Sequence, residues 1–524
     1  MRVLRNLLLS LACFLVLAGC RGKQAEDADK RGPELVLLAS PEVRNLEFLR
    51  PQMEAAAGRR LRFDYAGTVE MADRLRAGAV ADFAWPADAL YLSFNAPGRV
   101  LAAENIARSP VVLALKKPRA EALGWLRSPP SWGEIAKAAA REDLALGMAD
   151  PVASNLGLAA LLSAVLATAH SPHPQPGELN VRALKSLYAS MKLLGGSGTW
   201  LAESYVKQED RLDGMINYES AVLELNAGKD LDTPLAVIHP RDGVMVADHP
   251  LLLLNAAQRA AYDKLTAFLR SPPVQQQIME RTWRRPVIAA VKLGPQFGQH
   301  LAKSLPESLG LDFVRGVLDV YQGQLRPPAH SYFVIDVSGS MAEEHRMDEL
   351  KGALMVLAGS DQTTLAGRYA RFQAREKTDF ITFSSVIVDR LPLDFGAAAG
   401  YGPPLQRFED FVTAIEPKGG TAIYDALRAV YEQAAQDHRR EPGYYASIVL
   451  LSDGENSSGS DYAAFEKWYD ELPDTAQDIP IYPVLFGEPD LEEMKPLAEL
   501  TGGKVIDTTG SSLAEGLKYV RGYQ

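Results

Sequence analysis

In the stretch SYFVIDVSGSM, three oxygen-bearing side chains recur at every second position: Asp336, Ser338 and Ser340. Alternate side chains of an extended segment project to one side, so one carboxylate and two hydroxyls can converge on a single point. An all-oxygen set suits a hard cation, Mg²⁺ or Mn²⁺, that keeps several of its waters. Gly339, between the serines, lets the backbone bend and come close. Two further stretches carry matching chemistry. EPKGGTAIYDAL reads as a glycine turn entering a helix, which sets Thr421 at the helix entrance beside backbone N–H groups. YYASIVLLSDGENSSG is an apolar run that ends in an acid, Asp453.

These side chains need a scaffold that brings three distant segments to one edge. Buried parallel strands read as unbroken apolar runs, and both SYFVI and SIVLL do so before meeting an acid. In open α/β sheets, ligand sites form where such strands emerge at their carboxyl ends. TDFITFSSVIVD and IPIYPVLFG supply further strands, and DELKGALMVLAG and LEEMKPLAELTGG supply helices. The order D-x-S-x-S, then G-G-T, then S-D-G resembles the von Willebrand factor A domain and its metal-ion-dependent adhesion site, over roughly residues 329–520. The resemblance implies that Asp336, Ser338, Ser340, Thr421 and Asp453 surround a Mg²⁺ or Mn²⁺ ion, Asp453 acting through water. It also implies an open coordination position for an acidic side chain of a protein partner.

From Glu34 onward, short apolar runs alternate with helical ones, the pattern of parallel sheets wrapped by helices. ELVLLAS, RLRFDYAG and VADFAWPAD read as strands. EVRNLEFLRPQMEAAAG reads as one helix, and TVEMADRLRAG as another capped by Thr68. With VVLALKKPRAEALGW, GMADPVASNLGLAALLSAV, DGMINYESAVLELN and AFLRSPPVQQQIMERTWRRPV, this half resembles the two-lobed bacterial extracellular solute-binding proteins. The resemblance implies a cleft for a small polar or anionic solute, faced by Ser40, Thr68, Trp85, Ser154, Asn155 and Tyr218. The same positions also suit caps and core aromatics. His239 and His249 flank a turn and read as ordinary surface or loop residues.

The fold expected is α/β: a two-lobed solute-binding-like domain over 34–302, a helical linker over 303–328, and a doubly wound, Rossmann-like von Willebrand factor A domain over 329–524. The chain of 524 residues is too long for one ordinary core. Its net charge of −11, without a long Lys/Arg run, argues against nucleic acid as a partner. MRVLRNLLLSLACFLVLAGC has the layout of an export signal. Its LAGC ending resembles the bacterial lipobox, which implies removal of residues 1–20, lipidation at Cys20 and a membrane anchor. Residues 21–33 then form a flexible tether. Arg21, rather than an acid, beside that cysteine favours an outer membrane in a Gram-negative cell. The mature chain would hold no disulfide, since Cys13 leaves with the signal.

No G-x-S-x-G elbow, H-E-x-x-H helix or G-x-x-x-x-G-K-[ST] loop occurs, and Ser338 stands where an aspartyl-phosphate phosphatase needs a second acid. A binder is therefore expected rather than an enzyme. The alternatives are a solute receptor for a transport system and a Mg²⁺-dependent hydrolase.

Overall fold

The computed structural model describes residues 34–524, except 170, 172–173, 299–303, 306–308, 344, 363, 397–401, 454, 474–475, 488–490, 510–511 and 524. The export signal, Cys20 and the tether lie outside the described residues.

Two sheets make the first half. One has the order β2-β1-β3-β11-β4, from β1 (Leu35–Ala39), β2 (Leu61–Tyr65), β3 (Phe83–Trp85), β4 (Ala102–Asn105) and β11 (Pro250–Leu253). The other is built on β5 (Ala107–Lys116), with β6 (Leu146–Ala149), β7 (Met191–Gly195), β8 (Gly214–Tyr218), β9 (Leu235–Ile238) and β10 (Val246–Ala247). The chain passes between the lobes three times: from β4 into β5, from β10 into β11, and into β12 (Arg285–Pro286), which pairs with β5. Helices Arg259–Leu269 and Pro272–Thr282 return to the first lobe, setting Tyr262, Leu265 and Ile278 against Leu35, Leu37 and Phe83.

Local structure departs from the sequence reading in two places. The single helix expected over EVRNLEFLRPQMEAAAG is a 3₁₀ segment, Pro41–Leu49, followed by an α-helix, Arg50–Ala57. Each begins with a proline in its first two positions, where a missing N–H costs nothing. Thr68 is the first residue of the helix Thr68–Arg76 and Gly67 occupies the cap position, so Thr68 is not the N-cap.

The third sheet has the order β15-β14-β13-β16-β17-β18, from β13 (Ala329–Asp336), β14 (Glu376–Phe383), β15 (Ile387–Asp394), β16 (Tyr445–Ser452), β17 (Ile481–Leu485) and β18 (Ile506–Asp507). All pairs are parallel except β14 with β15. Every residue of β13 is buried, and successive side chains serve opposite faces. Tyr332 and Val334 join helix Ile423–Arg440 on one face, while Phe333 and Ile335 face the helices Arg346–Leu357 and Leu513–Val520.

Helix Leu311–Val320 links the halves and continues into a wider turn, Tyr321–Leu325. Tyr321 packs edge-on against Tyr188 at 5.2 Å and donates to Asp150 Oδ2 at 2.9 Å. The C-terminal turn Arg521–Tyr523 returns to the second lobe, where the Tyr523 ring meets Trp200 at 4.9 Å.

Candidate functional sites

β13 lies between β14 and β16, so the chain leaves it to one side and later comes back on the other. The loops after β13 and β16 therefore diverge and open a crevice at the carboxyl end of the sheet. Asp336 stands at its base. Its Oδ1 accepts from Ser338 N at 2.8 Å and its Oδ2 from Ser452 Oγ at 2.8 Å. The hydroxyls of Ser338 and Ser340 are 3.0 Å apart, and Ser340 Oγ donates to Asp453 Oδ1 at 3.0 Å. Four of the five expected ligands thus form one hydrogen-bonded cluster.

Thr421 comes from a third segment held against the other two. Gly339 N donates to Gly419 O at 3.0 Å, and Gly419 adopts a left-handed φ of +84° that suits glycine. Thr421 O accepts from the backbone N–H groups of Ser457 and Ser458, at 2.9 and 3.0 Å. The helix itself begins at Ile423, whose N–H donates to Asn456 Oδ1 at 2.9 Å. The helix-entrance role expected near Thr421 is thus shared with Asn456, from the loop after β16.

Burial pushes the Asp336 carboxyl above the usual carboxylate range, hydrogen bonds from Ser338 and Ser452 oppose this, and the nearby Asp453 adds to it. Ser338 N and Ser452 Oγ, which bond it, are neutral donors. A buried carboxylate beside a second one, with hydroxyls converging on both, has the charge and donor chemistry that a divalent cation would satisfy. The residues present fit Mg²⁺ or Mn²⁺.

The second site is the cleft between the two lobes, about 820 Å³ in volume and within the range of small-ligand pockets. Of the six candidates read from sequence, Tyr218 lines it. The Tyr218 hydroxyl is buried without a hydrogen-bond partner. Trp85 is fully buried, its indole N–H donates to His249 O at 3.0 Å, and its work is packing. Ser154 caps helix Asn155–Thr168, accepting from Gly157 N. Asn155 Nδ2 donates to Asp88 O at 3.0 Å and so ties the second lobe to the first. Ser40 is fully buried with its hydroxyl unpartnered, and Thr68 is buried at its helix start.

Two residues at the lobe crossings were missed. His249 sits where β10 passes into β11; it is 1% exposed, and neither ring nitrogen has a hydrogen-bond partner. Burial, helped by the Arg284 charge, holds its pKa well below the usual histidine value, so the ring is neutral and offers one donor and one acceptor. Its backbone has φ +39°, a strained setting for a non-glycine residue. His249 is therefore a buried cleft residue, not an ordinary loop histidine. Arg284 lies at the third crossing, where burial lowers its pKa to about 10, and it donates to Asn45 Oδ1 at 2.8 Å and to Glu42 O. The one sequence signal was position, since His249 and Arg284 each sit at a crossing between lobes. The cleft is also walled by Lys504 and Tyr519 of the C-terminal half.

Residues 43–283 match the bacterial extracellular solute-binding protein family, and residues 332–455 match the von Willebrand factor type A domain. No curated protein matches the chain. Among solved structures, the chain is similar to a ferric binding protein from Campylobacter jejuni, at 16% identity and a TM-score of 0.45, covering 55% of this chain and 98% of that one. It is also similar to the periplasmic binding protein AfuA from Actinobacillus pleuropneumoniae with exogenous fructose-6-phosphate bound. That match is at 16% identity and a TM-score of 0.42, covering 56% and 98%.

Proposed function

We propose that this chain, which joins a bacterial extracellular solute-binding domain to a von Willebrand factor type A domain, is an envelope-anchored lipoprotein that engages a protein partner through a divalent cation. Asp336, Ser338, Ser340, Thr421 and Asp453 would hold Mg²⁺ or Mn²⁺. The cation supplies an electrophilic position that a partner's Asp or Glu can fill. The observation that carries this reading is the cluster of two carboxylates and two hydroxyls at the carboxyl ends of β13 and β16, with the buried Asp336 bonded to neutral donors. The chain's own part is to fix the oxygens in place, Asp336 through Ser338 N and Ser452, and Asp453 through Ser340.

A saturating divalent cation should raise the melting temperature of the full chain by mass action, about 2.7 kcal/mol of stabilisation at a hundredfold excess over Kd. Asp336→Ala should remove that shift while keeping the fold, and should lose Mg²⁺-dependent, chelator-sensitive capture of the partner from envelope extract. An undiminished cation-dependent shift in Asp336→Ala would count against the site. Turnover of ATP, a phosphomonoester or an ester that vanishes in the same variant would promote the hydrolase alternative.

The solute-binding half would close on a small polar or anionic molecule held by Tyr218, His249 and Arg284. Their buried, unpartnered atoms favour a retained solute site and keep the transport-receptor reading as the second one. Among the described residues no helix is long and apolar enough to cross a membrane, and the attachment proposed is the lipid on Cys20. Cys20→Ser should abolish acyl labelling and leave the precursor unprocessed, whereas Cys13→Ser should do neither. Continued lipidation of the Cys20 variant would remove the anchor.

A further inference from the structure

Arg346 stands next to the cluster, although nothing in the D-x-S-x-S, G-G-T or S-D-G stretches points to it. It opens helix Arg346–Leu357, and its side chain is 10% exposed. Its Nη1 donates to Asp453 Oδ2 at 2.9 Å, while Ser340 Oγ holds the other oxygen of the same carboxylate. The arginine lies in a shaped slot. Gly487, in the loop after β17, has φ +73°, and a Cβ there would come within 3.0 Å of Arg346 Nε.

We propose that Arg346 is the built-in counter-ion of Asp453 and sets how strongly the site holds a divalent cation; the inference rests on the metal reading above. Asp336 and Asp453 bring two negative charges and Arg346 returns one, since a guanidinium stays protonated at any ordinary pH. Removing the guanidinium therefore takes one positive charge from beside the bound cation. Repulsion between the guanidinium and the cation weakens cation binding. The same guanidinium charge draws a carboxylate from outside. Arg346 thus trades cation affinity for hold on an acidic partner, and its loss should move the two in opposite directions.

The test uses the full chain and Mn²⁺ alone as probe, followed by calorimetry and by the electron paramagnetic resonance of the free ion. Arg346→Gln is expected to lower the Mn²⁺ Kd by about tenfold or more, the scale of a unit charge removed near a bound ion at an effective dielectric of about 20. Arg346→Lys keeps the charge and should stay within about threefold of the wild type. Asp336→Ala should bind no Mn²⁺. Should Arg346→Gln fail to fold, Arg346→Met keeps the stem against Gly487 without the charge and should show the same gain. An unchanged or weaker Mn²⁺ affinity in the uncharged variants overturns the counter-ion role and leaves the metal reading intact. If neither the wild type nor these variants bind Mn²⁺, the metal reading falls and this inference falls with it.

Discussion

Glu376→Gln is expected to destabilise the C-terminal half by about 3–5 kcal/mol, the scale for breaking a buried charge cluster by removing one partner. Glu376 opens β14, where its two oxygens accept from Arg521 Nη2 at 2.7 and 2.8 Å and one accepts from Arg326 Nη1 at 3.0 Å. Gln373 N adds a fourth bond at 2.9 Å. Arg326 ends the linker and Arg521 belongs to the C-terminal turn, so one carboxylate fastens both ends of the domain to its sheet. All three side chains are buried. A glutamine of the same shape takes the bridging negative charge away from two buried guanidiniums. Burial pushes the Glu376 carboxyl up, but the charges of Arg521 and then Arg326 more than offset this, and its pKa lies below the usual 4.5. A carboxyl depressed in the folded state contributes fully above its unfolded value. Its contribution is lost as the pH falls from about 4.5 through the lower folded value. Urea unfolding at pH 7 and across that acid limb should therefore show a large loss in Glu376→Gln at pH 7 that narrows in acid. A difference below about 1 kcal/mol at pH 7 would mean that the cluster is not what fastens the two ends.

What could be read beforehand follows from how local each signal is. β13 and β16 were legible because a strand buried on both faces is apolar throughout, so an acid marks its end and its carboxyl edge. Asp336, Ser338 and Ser340 were legible because a spacing of two puts them on one side. Arg346 and Glu376 were not, since nothing about a helix-opening arginine or a strand-opening glutamate shows a partner more than 100 residues away in sequence. Trp85 reads both as a cleft residue and as a core aromatic because it ends an apolar strand, and its buried indole, with the N–H spent on His249 O, bears out the packing reading. His249 reads as an ordinary loop residue because its neighbours read as a turn, and its place in the cleft wall comes from the crossing between β10 and β11. Cross-domain packing is least visible of all, because YVRGYQ has no local feature that distinguishes a docking turn from a solvent-exposed end.

That turn gives the last prediction. Tyr523 is fully buried, edge-on to Trp200 at 4.9 Å, 5.5 Å from Tyr482 and 5.3 Å from Tyr519, whose hydroxyl it meets at 2.7 Å. Its hydroxyl also interacts with Ser197, the cap of helix Gly198–Lys207, which walls the solute cleft. Opposite the ring lies Gly196, where any Cβ would overlap the aromatic carbons, and next to it Gly522 faces Ala153 just as closely. Tyr523→Ala empties the joint and should cost about 3–5 kcal/mol, as other large aromatic truncations do. Gly196→Ala overfills the joint from the other side and should cost about 1–3 kcal/mol. Each loosens the C-terminal domain from the second lobe, so calorimetry should split one unfolding transition into two. The combination is the decisive measurement. With the ring gone, the added methyl has room, so the double variant should be no less stable than Tyr523→Ala alone, giving a coupling energy near the whole cost of Gly196→Ala. Simple additivity, or a Gly196→Ala chain that melts like the wild type, would show that the two halves are not joined through this ring.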